Sequence, residues 1–63
     1  MSFDDFQSKV NNLVRPLGMS VIFRVDNGRY YANISDGTVI TANSVALSVM
    51  IRWGSGHTAI AQL

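Results

Sequence analysis

Side chains that could perform acid–base or nucleophilic chemistry are few and far apart in this sequence. His57 is the one histidine, and its nearest candidate partner, Ser55, lies inside a Gly-Ser-Gly turn. A nucleophilic site requires a serine, a histidine and an orienting carboxylate held together, but no acidic residue lies near His57 in sequence. The acidic residues are all aspartates, placed where a helix cap or a turn needs one. We therefore expect a chain that is not an enzyme.

A metal or phosphate site has no better support. The chain has no cysteine and one histidine, so it offers no zinc cage built from cysteine and histidine ligands. No lysine follows the glycines of 54–56, whereas a phosphate-binding loop places a lysine directly after its last glycine. We expect neither a metal nor a cofactor.

Arginine and tyrosine side chains form the group with the clearest binding character. Arg24 and Tyr31 are expected to be neighbours on adjacent strands, on the face of a sheet that points away from the core. These residue types dominate protein interfaces, and arginines beside an aromatic ring also suit single-stranded nucleic acid. The predicted partner-binding residues are Arg24, Arg29, Tyr31, Asn33, Met50 and Arg52.

The strands that would position this group follow from two turn signals in the stretch from Met19 to Ala42. Asn27-Gly28 and Asp36-Gly37 are typical of two-residue type I′ hairpin turns, which need positive φ at both central residues. The expected register pairs Val25 with Tyr30, Phe23 with Ala32, Val21 with Ile34, Ile34 with Val39, and Ala32 with Thr41. This register places the apolar partners on one face, as the binary pattern requires.

The N-terminal segment predicts an amphipathic helix. Ser2 is a suitable N-cap with Asp5 at the capping-box position, and Pro16 prevents regular helix from continuing. The apolar stripe consists of Phe3, Phe6, Val10, Leu13 and Leu17. We expect the helix to dock on the sheet through this stripe, with Phe6 and Leu13 as its anchors.

The segment 45–53 is ambiguous. As a strand it alternates Val45, Leu47, Val49, Ile51 and Trp53 with more polar residues. A helix over 44–53 also fits and would give the order α-β-β-β-α, but the β-branched and aromatic content favours a strand.

The predicted fold is α+β, a single domain over 1–63. An N-terminal amphipathic helix packs on a four- to five-stranded antiparallel meander, which can also curl into a small SH3-like barrel. The predicted helix spans 2–15, and the predicted strands span 19–25, 29–35, 38–42, 45–53 and 57–62.

Composition indicates a small interaction domain. Of 63 residues, 48% are hydrophobic and 14% charged, and the net charge is +1. So much apolar surface on so small a chain leads us to expect a homo-oligomer, acting as an adaptor or inhibitor of a larger protein. Nucleic acid is the alternative partner, which the small charge does not favour. An acidic N-terminal segment and the lack of a spanning apolar run predict a cytoplasmic protein with no membrane association.

Overall fold

The computed structural model describes all of residues 1–63 and contains one helix and five strands. The elements are α1 Phe3–Val14, a 3₁₀ turn Arg15–Leu17, β1 Val21–Asp26, β2 Arg29–Ile34, β3 Val39–Asn43, β4 Val49–Arg52 and β5 Thr58–Ala61. The strands form one antiparallel sheet in the order β1-β2-β3-β4-β5. The predicted α+β fold is confirmed. The sheet is open at β1 and β5, so the barrel alternative is wrong, and residues 44–53 contain no helix.

The cap of α1 confirms the helix start, but one predicted anchor is wrong. The Asp5 N–H donates to Ser2 Oγ at 3.1 Å, which satisfies an N–H that the first turn leaves free. Phe6, Val10 and Val14 are buried, whereas Leu13 is 49% exposed. The buried strip runs through Val14 rather than Leu13, and α1 packs on β1 and β2.

The first hairpin is as predicted. Asn27 has φ 54° and Gly28 has φ 75°, the two positive values that a type I′ turn requires. The turn sets Arg24 opposite Tyr31 and Phe23 opposite Ala32.

The second hairpin differs from the prediction by one residue. Gly37 has φ 93°, but Asp36 has no positive φ, so the turn is not type I′. The Ile34 N–H donates to the Thr38 carbonyl at 2.8 Å, which leaves a three-residue connection ending in a left-handed glycine. The Thr38 N–H donates to Asp36 Oδ1 at 2.9 Å and stabilises this turn.

This difference reverses the two faces of β3. Ala32 lies opposite Ile40, and Tyr31 lies opposite Thr41, because a shift of one residue moves every side chain of a strand to the other face. Ile40 is therefore buried, together with Thr38 and Ala42. Val39 and Thr41, which the predicted register placed on the core face, lie on the opposite one.

The predicted strand 45–53 is shorter than expected. Asn43 Oδ1 accepts hydrogen bonds from the N–H groups of Val45 at 3.0 Å and Ala46 at 2.7 Å. This local turn occupies donors that a strand would use in its ladder. Val45 and Leu47 are 86% and 81% exposed in the connection that results.

The core lies between α1 and one face of the sheet. Its buried apolar residues are Phe6, Val10, Val14, Tyr30, Ala32, Ile34, Ile40, Ala42 and Val49. The Phe6 ring lies 6.0 Å from that of Phe23 and 5.6 Å from that of Tyr30, distances typical of favourable aromatic pairs. No helix in the chain has the length and apolar character needed to span a membrane.

Candidate binding surface

The sheet face opposite α1 carries all six residues predicted to bind a partner; we call it the outer face. Strand pairing arranges its side chains in two rows that each cross all five strands. The first row is Arg24, Tyr31, Thr41, Met50 and Ile60, and the second is Ile22, Asn33, Val39, Arg52 and Thr58. Arg29 lies opposite Asp26 and Asn43 at one end of the face.

Arg24 and Tyr31 make the best-defined contact on the outer face. The Arg24 guanidinium carbon lies 4.4 Å from the centre of the Tyr31 ring, within the range of a cation–π interaction worth about 0.5–1 kcal/mol at an exposed site. The type I′ turn at Asn27-Gly28 determines this pairing. The contact orients the guanidinium and covers one side of the ring.

Large apolar side chains are exposed beside these polar groups. Ile22 is 74% exposed, Ile60 73% and Met50 50%. The predicted set of partner-binding residues does not include Ile22 or Ile60. Alternation could have identified Ile22, because it lies two residues from Arg24 and therefore on the same side of β1.

Two adjoining concavities lie along the outer face. One, of about 250 Å³, is lined by Tyr31, Val39, Thr41, Met50, Arg52 and Thr58. The other, of about 290 Å³, extends from Met50 and Ile60 to Arg29 and to Ala46 in the β3–β4 connection. Met50 and Thr41 line both. Val39 and Thr41 reach this surface because of the corrected register of β3.

Charge is distributed unevenly between the two sides of the molecule. The outer face holds Arg24, Arg29 and Arg52, three of the five basic residues. Asp26 is the one acidic residue on its strands. The other acidic side chains lie at the start of α1 and in the β2–β3 turn. The outer face is therefore positive, although the whole chain is close to neutral.

The residues with acid–base chemistry lie elsewhere. His57 is exposed, and its ring stacks on Trp53 with centroids 5.4 Å apart. In the β2–β3 turn, hydrogen bonds from the backbone and then the side chain of Thr38 lower the pKa of Asp36. No group of three or more histidine, cysteine, aspartate or glutamate side chains is placed to hold a metal ion.

The fold and surface together define a small α+β domain with one sheet face covered by a helix and the other exposed. No family model matches the chain, and no curated protein or solved structure matches it either. Its function is therefore inferred from its own residues.

Proposed function

We propose that this chain is a cytoplasmic, non-catalytic protein-interaction module. It forms a homo-oligomer and acts as an adaptor or inhibitor by binding a larger protein through its outer face. The observation that carries the proposal is the combination, on one uncovered sheet face, of exposed Ile22, Met50 and Ile60 with three arginines and Tyr31. An exposed apolar patch bordered by polar groups is typical of a protein interaction site.

Charge indicates the chemistry of the partner. Arginine side chains at an interface bind carboxylates through paired hydrogen bonds and also pack through their planar groups. The outer face has three arginines and one aspartate, so it is complementary to a surface with exposed carboxylates around an apolar centre. Met50, near the middle of the face and between the two concavities, would contact that centre.

The size of the chain indicates how far the interface extends. A standard interface buries about 800 Å² on each partner, roughly a fifth of this chain's 4189 Å² of accessible surface. The larger concavity continues from the outer face to the β3–β4 connection. That connection exposes Val45 and Leu47, which would extend the binding surface.

Single-stranded nucleic acid is the second candidate partner. It is favoured by the presence of three of the five basic residues on one face, because basic grooves follow the phosphate backbone. Two features favour protein instead. Tyr31 is the one aromatic residue in the two rows, and Arg24 covers one side of its ring, whereas sequence-independent binding of single strands uses several aromatic rings as stacking surfaces.

The double variant Arg24→Ser with Arg52→Ser tests the proposal against a variant of equal charge. Lys9→Ser with Arg15→Ser removes two positive charges from α1 and the turn after it. A protein retrieved with the immobilised parent chain would be purified, and its affinity for the three chains compared. We expect binding to weaken about tenfold or more in the outer-face variant, since each 1.4 kcal/mol is a factor of ten. The control should bind like the parent.

Two results would contradict the proposal. If both double variants bind equally well, the outer face is not the binding surface. If the parent binds oligothymidylate, with affinity falling steeply as salt rises, and retains no purified protein, the partner is nucleic acid. Circular dichroism of each variant would verify that the fold is intact.

A further inference from the structure

The two edges of the open sheet differ in how they are protected. β1 includes Arg24 and Asp26 and packs against α1. β5 has the sequence Thr-Ala-Ile-Ala, with no charge, no proline and no residue of positive φ. Charged side chains, prolines and bulges are three of the means by which proteins prevent an edge strand from pairing with another chain. β5, which is four residues long, has none of these three.

Backbone hydrogen bonding shows which groups the β5 edge exposes. The Trp53 N–H donates to the His57 carbonyl at 2.9 Å, and Ile51 lies opposite Ala59 in the same ladder. Residues of an antiparallel strand alternate between bonding to one side and to the other. His57, Ala59 and Ala61 therefore bond to β4, and the N–H and C=O groups of Thr58 and Ile60 point toward the open edge.

We propose that β5 pairs antiparallel with β5 of a second copy of this chain, with Ile60 opposite Ile60 across a two-fold axis. Each copy contributes five strands to one continuous ten-stranded sheet. A two-fold interface joins identical surfaces, and β5 is suited to this because it brings no like charges together. The inference rests on the proposed self-association but is independent of what the outer face binds.

Side chains on both faces are compatible with this pairing. Ile60 is 73% exposed and would pack beside its counterpart on the outer face, while Ala59 would lie opposite the small Ala61. Only residues whose backbone groups point outward can bond across the new interface. Their side chains are all on the outer face, so the outer faces of the two copies must lie on the same side of the sheet.

The dimer therefore doubles the proposed binding surface. The first row would continue across the axis, with Met50 and Ile60 of both copies at its centre and Arg24 and Tyr31 toward each end. Neither copy covers the arginines of the other. A partner that contacts both halves would gain affinity from bivalent binding.

Single cysteines test the pairing directly, because the chain has no cysteine of its own. Hydrogen-bonded partners in an antiparallel pair have Cα atoms about 5.5 Å apart, within the range that a disulfide spans. We expect Ile60→Cys to form a disulfide-linked dimer under mild oxidation, faster in buffer than in denaturant. Ile22→Cys is the matched control, since Ile22 is 74% exposed on the same face of the opposite edge strand. The Ile22→Cys variant should form a disulfide-linked dimer no faster in buffer than in denaturant.

Lysine variants at the same positions test whether the edge maintains the oligomer. Sedimentation of the parent should give twice the 6.9 kDa chain mass. Ile60→Lys should give the mass of one chain, because it places like charges opposite each other, and Ile22→Lys should remain a dimer. A monomeric parent, a dimer that survives Ile60→Lys, or equal linking rates at both cysteines would overturn the inference. Partner binding is measured separately, on a dimeric variant that carries Arg24→Ser and Arg52→Ser. Failure of the outer-face proposal can therefore be distinguished from failure of the β5 pairing.

Discussion

Replacing Phe6 by alanine is the most informative test of how the helix holds this domain together. Phe6 is fully buried, and its ring lies close to those of Phe23 and Tyr30. Truncating a buried phenylalanine costs about 3–5 kcal/mol through lost apolar burial and the cavity left behind. A 63-residue domain has a free energy of unfolding of about 3–9 kcal/mol. The variant should therefore lose about a third of its stability at the least, and all of it if the parent lies at the lower end of this range.

Leu13→Ala is the matched comparison on the same helix. Leu13 is 49% exposed, so its truncation removes much less buried surface than that of Phe6 and leaves no closed cavity. Alanine is also the best helix former, which offsets part of the loss. We expect a cost below about 1 kcal/mol, within the usual range for surface substitutions or slightly above it.

Urea unfolding followed by far-ultraviolet circular dichroism measures both changes. If Phe6→Ala is already unfolded in buffer, Phe6→Leu takes its place in the comparison. Leucine fills part of the space left by the phenylalanine ring, so this variant should still show a measurable unfolding transition. Equal losses for Phe6→Ala and Leu13→Ala would refute the packing of α1 on the sheet through Phe6. A Leu13→Ala variant less stable than Phe6→Ala would show that the helix is rotated relative to the sheet.

Two further predictions concern the β2–β3 turn. Gly37→Ala should cost about 1–2 kcal/mol, because Gly37 has φ 93° and a left-handed conformation is unfavourable for residues with a Cβ. Gly54→Ala is the control, because the φ of Gly54 is not in the left-handed region and the added Cβ would lie an ordinary 3.6 Å from the Asp36 carbonyl oxygen. Equal urea midpoints for the two variants would contradict the strain argument. Asp36 has a pKa lowered from 3.8 by hydrogen bonds from Thr38, so its contribution to stability is present above that pH and is lost as the pH falls through the lower pKa of the folded state. Asp36→Asn should therefore reduce the acid dependence of the melting temperature below pH 3.8, and an unchanged profile would show that the carboxylate has no such role.

Comparison of the two hairpins shows where local sequence is sufficient. Asn27-Gly28 adopts the predicted turn because both residues accept positive φ. Asp36-Gly37 fits two turns, since the aspartate can take positive φ itself or accept a hydrogen bond from Thr38. Local chemistry does not distinguish them. The observed turn buries Ile40 and Ala42 rather than Val39 and Thr41. The turn that forms is thus the one that places the larger apolar side chain, Ile40, in the core.

The sequence by itself determined the helix start, the first hairpin and the grouping of Arg24 with Tyr31, because each depends on residues adjacent in the chain or joined by one tight turn. Alternation also placed Met50 and Arg52 on the face away from the core. Tertiary structure decided the register of β3, and with it the arrival of Val39 and Thr41 on the outer face. It also decided that Val14 rather than Leu13 meets the sheet. These features depend on which of two similar apolar surfaces packs better against a partner element, and that comparison exists only once the helix and the sheet are in contact.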